Sequence, residues 1–92
     1  MDVCALTRQL VDIESTTGNE GAVGEFLHRC LSDLGYETRL DTVESNRFNV
    51  YAVPPNQPRP AVFFSTHMDT VPPFFASRED GTRIYGRGAC DA

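Results

Sequence analysis

The sequence predicts an α/β layered fold, and three observations carry that expectation. Two amphipathic helical patterns fill the first third of the chain. Strand-type patterning starts at Tyr36, and the run Ala61-Val62-Phe63-Phe64 is too continuously apolar for a half-exposed strand. Helices first and mixed strands after fit an α/β layer structure that is expected to lack its later half.

The elements follow in order. Asp2 is placed to cap a first helix whose apolar residues Val3, Leu6, Leu10 and Ile13 share one face and which is expected to end near Ser15. Thr16-Thr17-Gly18-Asn19 is turn chemistry. Val23, Phe26, Leu27, Cys30, Leu31 and Leu34 then recur at the spacing of a second helix, with Gly35 suited to the left-handed conformation that closes it. Tyr36, Thr38 and Leu40 alternate with Glu37, Arg39 and Asp41, which predicts a half-exposed strand, and Phe48 to Val53 predicts another. Four prolines between Pro54 and Pro60 mark a surface connection, because proline supplies no ladder donor. Ala61 to Ser65 is expected to be a central strand covered on both faces. Pro72-Pro73 ends extended structure, and Phe74-Phe75 is expected to fold back onto apolar surface or to meet a substrate. Asp80-Gly81 predicts a turn before a short strand, Thr82 to Tyr85. The whole of 1–92 reads as one unit with no internal repeat or boundary.

Composition narrows the function classes. A formal charge of -5 and a pI near 4.8 argue against nucleic acid or an anionic membrane as the partner, since both select a basic face. A small molecule, peptide or metal fits better. The first residues lack the pattern of a secretory signal, no apolar stretch has transmembrane length, and the expected compartment is the cytoplasm. Cys4, Cys30 and Cys90 are widely spaced and odd in number, so reduced thiols are expected.

The chemistry concentrates in Ser65-Thr66-His67-Met68-Asp69-Thr70-Val71-Pro72. His67 and Asp69, two residues apart at a strand exit, project to the same side. Imidazole is a good ligand for a borderline metal such as zinc, and a ligating histidine commonly gives its other ring N–H to a carboxylate. His67 is therefore a candidate ligand and Asp69 its orienting partner. A second carboxylate, Asp91, follows the small residues of Gly86-Arg87-Gly88-Ala89-Cys90, which let the backbone turn back toward His67. The residues alone leave plainer roles open: a hydrogen-bonded structural histidine, an aspartate capping the turn before Pro72, and a solvated acid at 91. Gly86-x-Gly88 lacks the third glycine of a dinucleotide loop, and nothing marks an oxyanion hole beside Cys90. His28 reads as a solvated residue on the polar side of the second helix. Glu14, Glu20, Glu25, Asp33 and Glu79 read as surface charge.

The two motifs, Phe63 to Pro72 and Tyr85 to Asp91, together resemble those of the co-catalytic zinc amidohydrolase and exopeptidase family of acetylornithine deacetylase, succinyl-diaminopimelate desuccinylase, the aminoacylases and glutamate carboxypeptidase. The resemblance implies the N-terminal part of a three-layer catalytic domain with a mixed sheet, incomplete within 1–92 and without the family's lid and dimerisation domain. It implies that His67 ligates one zinc, that Asp91 bridges two, and that Asp69 is the catalytic acid beside the metal. Two Zn2+ ions, roughly 3.5 to 4 Å apart, are the implied cofactor, with cobalt as a substitute. The implied reaction is hydrolysis of an amide bond in an N-acyl amino acid or short peptide, and the intact protein is expected to be a homodimer. The family continues with Lys-Gly, a Glu-Glu pair, a further acidic ligand and a late histidine. These 92 residues are accordingly expected to be the beginning of an enzyme and inactive alone. The link between the motifs is short and lacks an expected tryptophan. A non-catalytic binding module with an incomplete metal site is the alternative from another class.

Overall fold

Asp2 starts the first helix as the sequence predicts. Its carboxylate accepts from the backbone N–H groups of Cys4 and Ala5 at 3.0 and 3.2 Å, satisfying two donors that a helix start leaves free. In the computed structural model, which describes residues 1–91, α1 spans Val3–Val11 and α2 spans Gly21–Asp33. The sequence carries α1 on to about Ser15, but it ends four residues earlier. Asp12 turns away to accept from the Ser77 N–H, and the carbonyl of Ser15 is committed to Thr70. Val11, outside the predicted apolar face, is the buried residue of this helix, whereas Val3 is exposed.

Helix α2 closes as expected. Gly35 has φ +96°, and the amides of Gly35 and Tyr36 return to the carbonyls of Ser32 and Leu31 at 2.9 and 3.1 Å. That is a left-handed glycine closure, which ties up carbonyls of the last turn. The helix lies on a hairpin of β1, Glu37–Glu44, and β2, Arg47–Val53. The strands are antiparallel with Leu40 opposite Val50, and a bulge interrupts the register between Thr42 and Glu44. Thr38, Leu40, Asp41, Arg47, Phe48, Val50 and Ala52 are the half-buried residues of this hairpin. On the open face Arg39 lies over the ring of its cross-strand partner Tyr51, 4.8 Å from the centroid. The helix approaches so closely that a Cβ at Gly24 would overlap the Phe48 ring.

A second antiparallel pair joins β3, Arg78–Glu79, to β4, Ile84–Tyr85, through the predicted Asp80-Gly81 turn. Gly81 sits at φ +90°, and the Asp80 carboxylate collects the Thr82 and Arg83 amides and the Tyr85 hydroxyl. Arg8 ties α1 to this unit through the Ser77 hydroxyl at 3.0 Å and Glu79 at 3.3 Å. The predicted strand Thr82 to Tyr85 thus shortens to its last two residues, and its partner β3 was not foreseen.

The largest correction concerns Ala61 to Ser65. This stretch joins no ladder, and Val62, Phe63 and Phe64 are 64, 79 and 90% exposed. A central strand exists only when neighbouring strands and covering layers are present, and among the described residues none flanks it. Helices and two small antiparallel sheets make an α/β arrangement, but not a mixed sheet. A single parallel bridge, Thr16 to Thr70, is the one parallel contact among the described residues. Phe74 and Phe75 also remain partly exposed, Phe75 beneath the Arg87 guanidinium. The core is correspondingly thin: Val11 and Val23 are the buried apolar residues. The radius of gyration is 14.0 Å, against about 12 Å for a compact chain of this length.

Three adjacent exposed apolar side chains on an unpaired extended backbone template association. The isolated chain is expected to self-associate at micromolar concentration, and Phe63→Lys with Phe64→Glu is expected to restore the monomer. Light scattering across a dilution series checks this; a monomeric parent chain at high concentration contradicts it.

Candidate functional site

The backbone of the His67 segment is anchored from the N-terminal third of the chain. The Thr70 amide donates to the Ser15 carbonyl at 2.8 Å, and the Thr17 amide donates to the Thr70 carbonyl at 3.1 Å. This pairing fixes Asp69 and Thr70 against the turn after α1. Gly88, at φ +85°, makes the bend that the second motif needs, with the Ala89 amide bonded to the Gly86 carbonyl. Gly86 serves packing instead, since a Cβ there would overlap Val11. Both motifs open into one cleft of about 390 Å³, lined by His67, Asp69, Gly86, Gly88, Cys90 and Asp91 among others.

The structure brings all three candidate residues together. His67 Nδ1 lies 3.0 Å from the Asp69 carbonyl and 3.2 Å from Asp69 Oδ1, while Nε2 lies 3.2 Å from Asp91 Oδ1. Asp69 Oδ2 accepts from the Thr17 hydroxyl at 2.7 Å. Thr17 is the residue that sequence reading missed at the site; its only signal was membership of a turn-forming tetrapeptide.

Those distances constrain the protons. Both ring nitrogens face acceptors, Nδ1 the Asp69 carbonyl and carboxylate and Nε2 the Asp91 carboxylate, so a neutral ring satisfies one side only, and its Nδ1–H form leaves an Nε2 lone pair facing a carboxylate oxygen. That contact is attractive only when a cation lies between, either a second ring proton or a metal ion. The Asp91 carboxylate foremost, then the Asp69 carbonyl, raise the His67 pKa above its usual value. The Thr17 hydroxyl foremost holds Asp69 below the usual carboxylate range.

The donor chemistry also fits a metal. Two atoms bound at 2.0–2.1 Å to one tetrahedral ion stand about 3.3 Å apart, close to the Nε2 to Oδ1 separation. Asp69, on the opposite edge of the ring, is placed as an orienting partner. Among the described residues, no group of three or more His, Cys, Asp or Glu side chains converges on one point. His67 and Asp91 are thus a pair of donors rather than a closed shell. Cys4, Cys30 and Cys90 are free thiols. Two residues read as surface polar groups prove otherwise: Glu20 is 5% exposed and paired with Arg47, and His28 is half-buried with its Nδ1 sealed from solvent.

An imidazole and a carboxylate thus stand 3.2 Å apart beside an anchored turn. No family model matches the chain. Among curated proteins it is 42% identical to a peptidase M20 domain-containing protein of Schizosaccharomyces pombe, over 99% of this chain and 24% of the relative. It is 41% identical to a probable carboxypeptidase of Emericella nidulans, over 96% of this chain and 23% of that one. It is 37% identical to a probable carboxypeptidase of Paracoccidioides brasiliensis, over 96% and 24%. The chain belongs to the M20 peptidase family, and it spans about a quarter of the length of the curated relatives it matches. The last alignment runs over 105 positions against a chain of 92 residues, so that relative carries positions with no counterpart here.

Proposed function

We infer that this chain supplies the front of the active site of a zinc-dependent M20 exopeptidase or amidohydrolase. The reaction is hydrolysis of an amide bond in an N-acyl amino acid or short peptide, within a three-layer catalytic domain. The relatives' names, peptidase and probable carboxypeptidase, support the hydrolase class. The observation that carries the reading is the 3.2 Å approach of His67 Nε2 to Asp91 Oδ1, a separation that two ligands of one ion would also take. The assignment of zinc rests on the donor set, one imidazole and one carboxylate.

Bound zinc supplies a water acidified to near neutrality and a Lewis acid for the scissile carbonyl. The chain's own residues do the following. His67 offers Nε2 as a ligand. Asp91, 93% exposed at its side chain, would be the carboxylate that holds metal beside it. Asp69 accepts the Nδ1 proton, which fixes the ring and raises its basicity. The proton-transfer glutamate that this chemistry uses is not one of the residues at the cleft. Cytoplasmic location, supported by the three free thiols, and a homodimeric intact protein belong to the same reading. No helix among the described residues is long and apolar enough to cross a membrane.

One observation favours a second reading, a binding module without catalysis: no third metal-binding side chain converges on His67 and Asp91 among the described residues. The two readings separate in an assay of the full-length protein carrying this sequence, with N-acetyl amino acids and dipeptides. Chelation is expected to abolish hydrolysis and zinc or cobalt to restore it, while the 92-residue chain alone is inactive. Absent hydrolysis leaves the binding module, and hydrolysis indifferent to chelation overturns the zinc assignment.

A further inference from the structure

The turn after α1 carries chemistry that neither motif accounts for. Thr17 is held on both sides: its amide pairs with the Thr70 carbonyl at 3.1 Å, and the next amide, Gly18, donates to Glu20 Oε1 at 3.0 Å. Glu20 is buried and receives two hydrogen bonds from Arg47, at 3.0 and 3.2 Å, so the turn is braced against the β1–β2 hairpin. From this position the Thr17 hydroxyl reaches Asp69 Oδ2 at 2.7 Å. The terminal torsion of an aspartate is otherwise broad, and fixing one oxygen removes that freedom. The other oxygen is then left 3.2 Å from His67 Nδ1.

We propose that Thr17 is a positioning residue, whose hydroxyl orients the Asp69 carboxylate so that His67 keeps its proton on Nδ1 and presents Nε2 to the cleft. The direct path through Asp69 is short and involves no other side chain. Without the hydroxyl, Asp69 is free to rotate, and Nδ1 keeps only the Asp69 backbone carbonyl at 3.0 Å while Asp91 Oδ1, 3.2 Å from Nε2, competes for the ring proton. The purpose of this arrangement rests on the metallohydrolase reading, but the tautomer itself is measured without any activity.

The test uses the chain carrying Phe63→Lys and Phe64→Glu, the form expected to stay monomeric, labelled with 15N in its histidine rings, at a pH where the imidazoles are neutral. His28 is the one other histidine, so two ring systems are resolved. This parent and Thr17→Ser are expected to show the Nδ1–H form of His67, and Thr17→Val a mixture of both forms. Zinc added to each is expected to shift the His67 Nε2 signal, with about 10- to 100-fold weaker affinity in Thr17→Val. The Thr70 amide should stay protected throughout, because its partner is a backbone carbonyl. An unchanged tautomer and unchanged zinc affinity in Thr17→Val overturn the proposal. A dominant Nε2–H form in the parent also overturns it, whether or not the valine variant folds. A tautomer that depends on Thr17 in a ring that ignores zinc upholds the positioning role and removes the metallohydrolase reading instead.

Discussion

His67→Ala in the full-length protein is expected, on the proposed hydrolase reading, to lower kcat/KM by about 10³-fold or more while leaving the fold intact. The two halves of that expectation have separate causes. The imidazole side chain is 55% exposed, and its contacts are confined to Asp69 and Asp91, so removing it opens no cavity and strands no buried group. Its loss instead takes away the nitrogen donor of the two groups proposed to hold the metal. Metal content and activity should therefore fall together, with the thermal midpoint nearly unchanged. Asp69→Asn should be milder, about 10- to 100-fold, because an amide oxygen still accepts from Nδ1 but is a weaker partner than a carboxylate. Atomic absorption on the purified proteins, beside the kinetics, decides the matter. A His67→Ala enzyme with full metal content and full activity would remove His67 from the metal shell.

Local interactions explain what the sequence revealed. Asp2 and Gly35 act within a few residues of themselves, as a cap and as a left-handed closure, and both are found where the pattern places them. The hairpin is similar, since alternation in Glu37–Glu44 and Arg47–Val53 reports one face of each strand. Ala61 to Ser65 failed for the opposite reason. An apolar run shows that a segment needs covering, but the covering comes from elsewhere, and here Phe64 is 90% exposed. Glu20 failed through a distant partner: nothing near it in the sequence announces Arg47, 27 residues away. At the site, the meeting of His67, Asp69 and Asp91 at one cleft was legible because the small residues before Asp91 let the chain turn back toward the first motif. Thr17 was not, since a turn-forming residue looks the same whether its hydroxyl meets water or, 52 residues on, a carboxylate.

Arg47→Met is expected to lower the thermal midpoint by about 5–10 °C at pH 7. Glu20 is the reason. Its side chain is 6% exposed, and the Arg47 guanidinium and the Gly18 amide are its partners. Burial is the largest single influence on this carboxyl and pushes its pKa up. The Gly18 amide and Arg47 together outweigh it, and the net pKa is lowered. A carboxyl depressed by folding contributes stability that is fully present above its ordinary value near 4.5 and is lost as pH falls through the depressed folded value. The parent chain should thus lose stability only below about pH 4.5. Methionine keeps the aliphatic packing and removes the charge, leaving burial less opposed, so less stability depends on the ionised carboxylate and the acid loss should be smaller in the variant. Glu20→Gln should be gentler at pH 7, because the amide oxygen still accepts from Gly18 without stranding a buried charge. Thermal melts from pH 7 to pH 4 test both parts, and coincident curves for parent and Arg47→Met would show that the pair adds nothing. The consequence extends to the cleft: Glu20 also holds the Gly18 amide, one residue from Thr17, so weakening the brace should loosen the hydroxyl that holds Asp69.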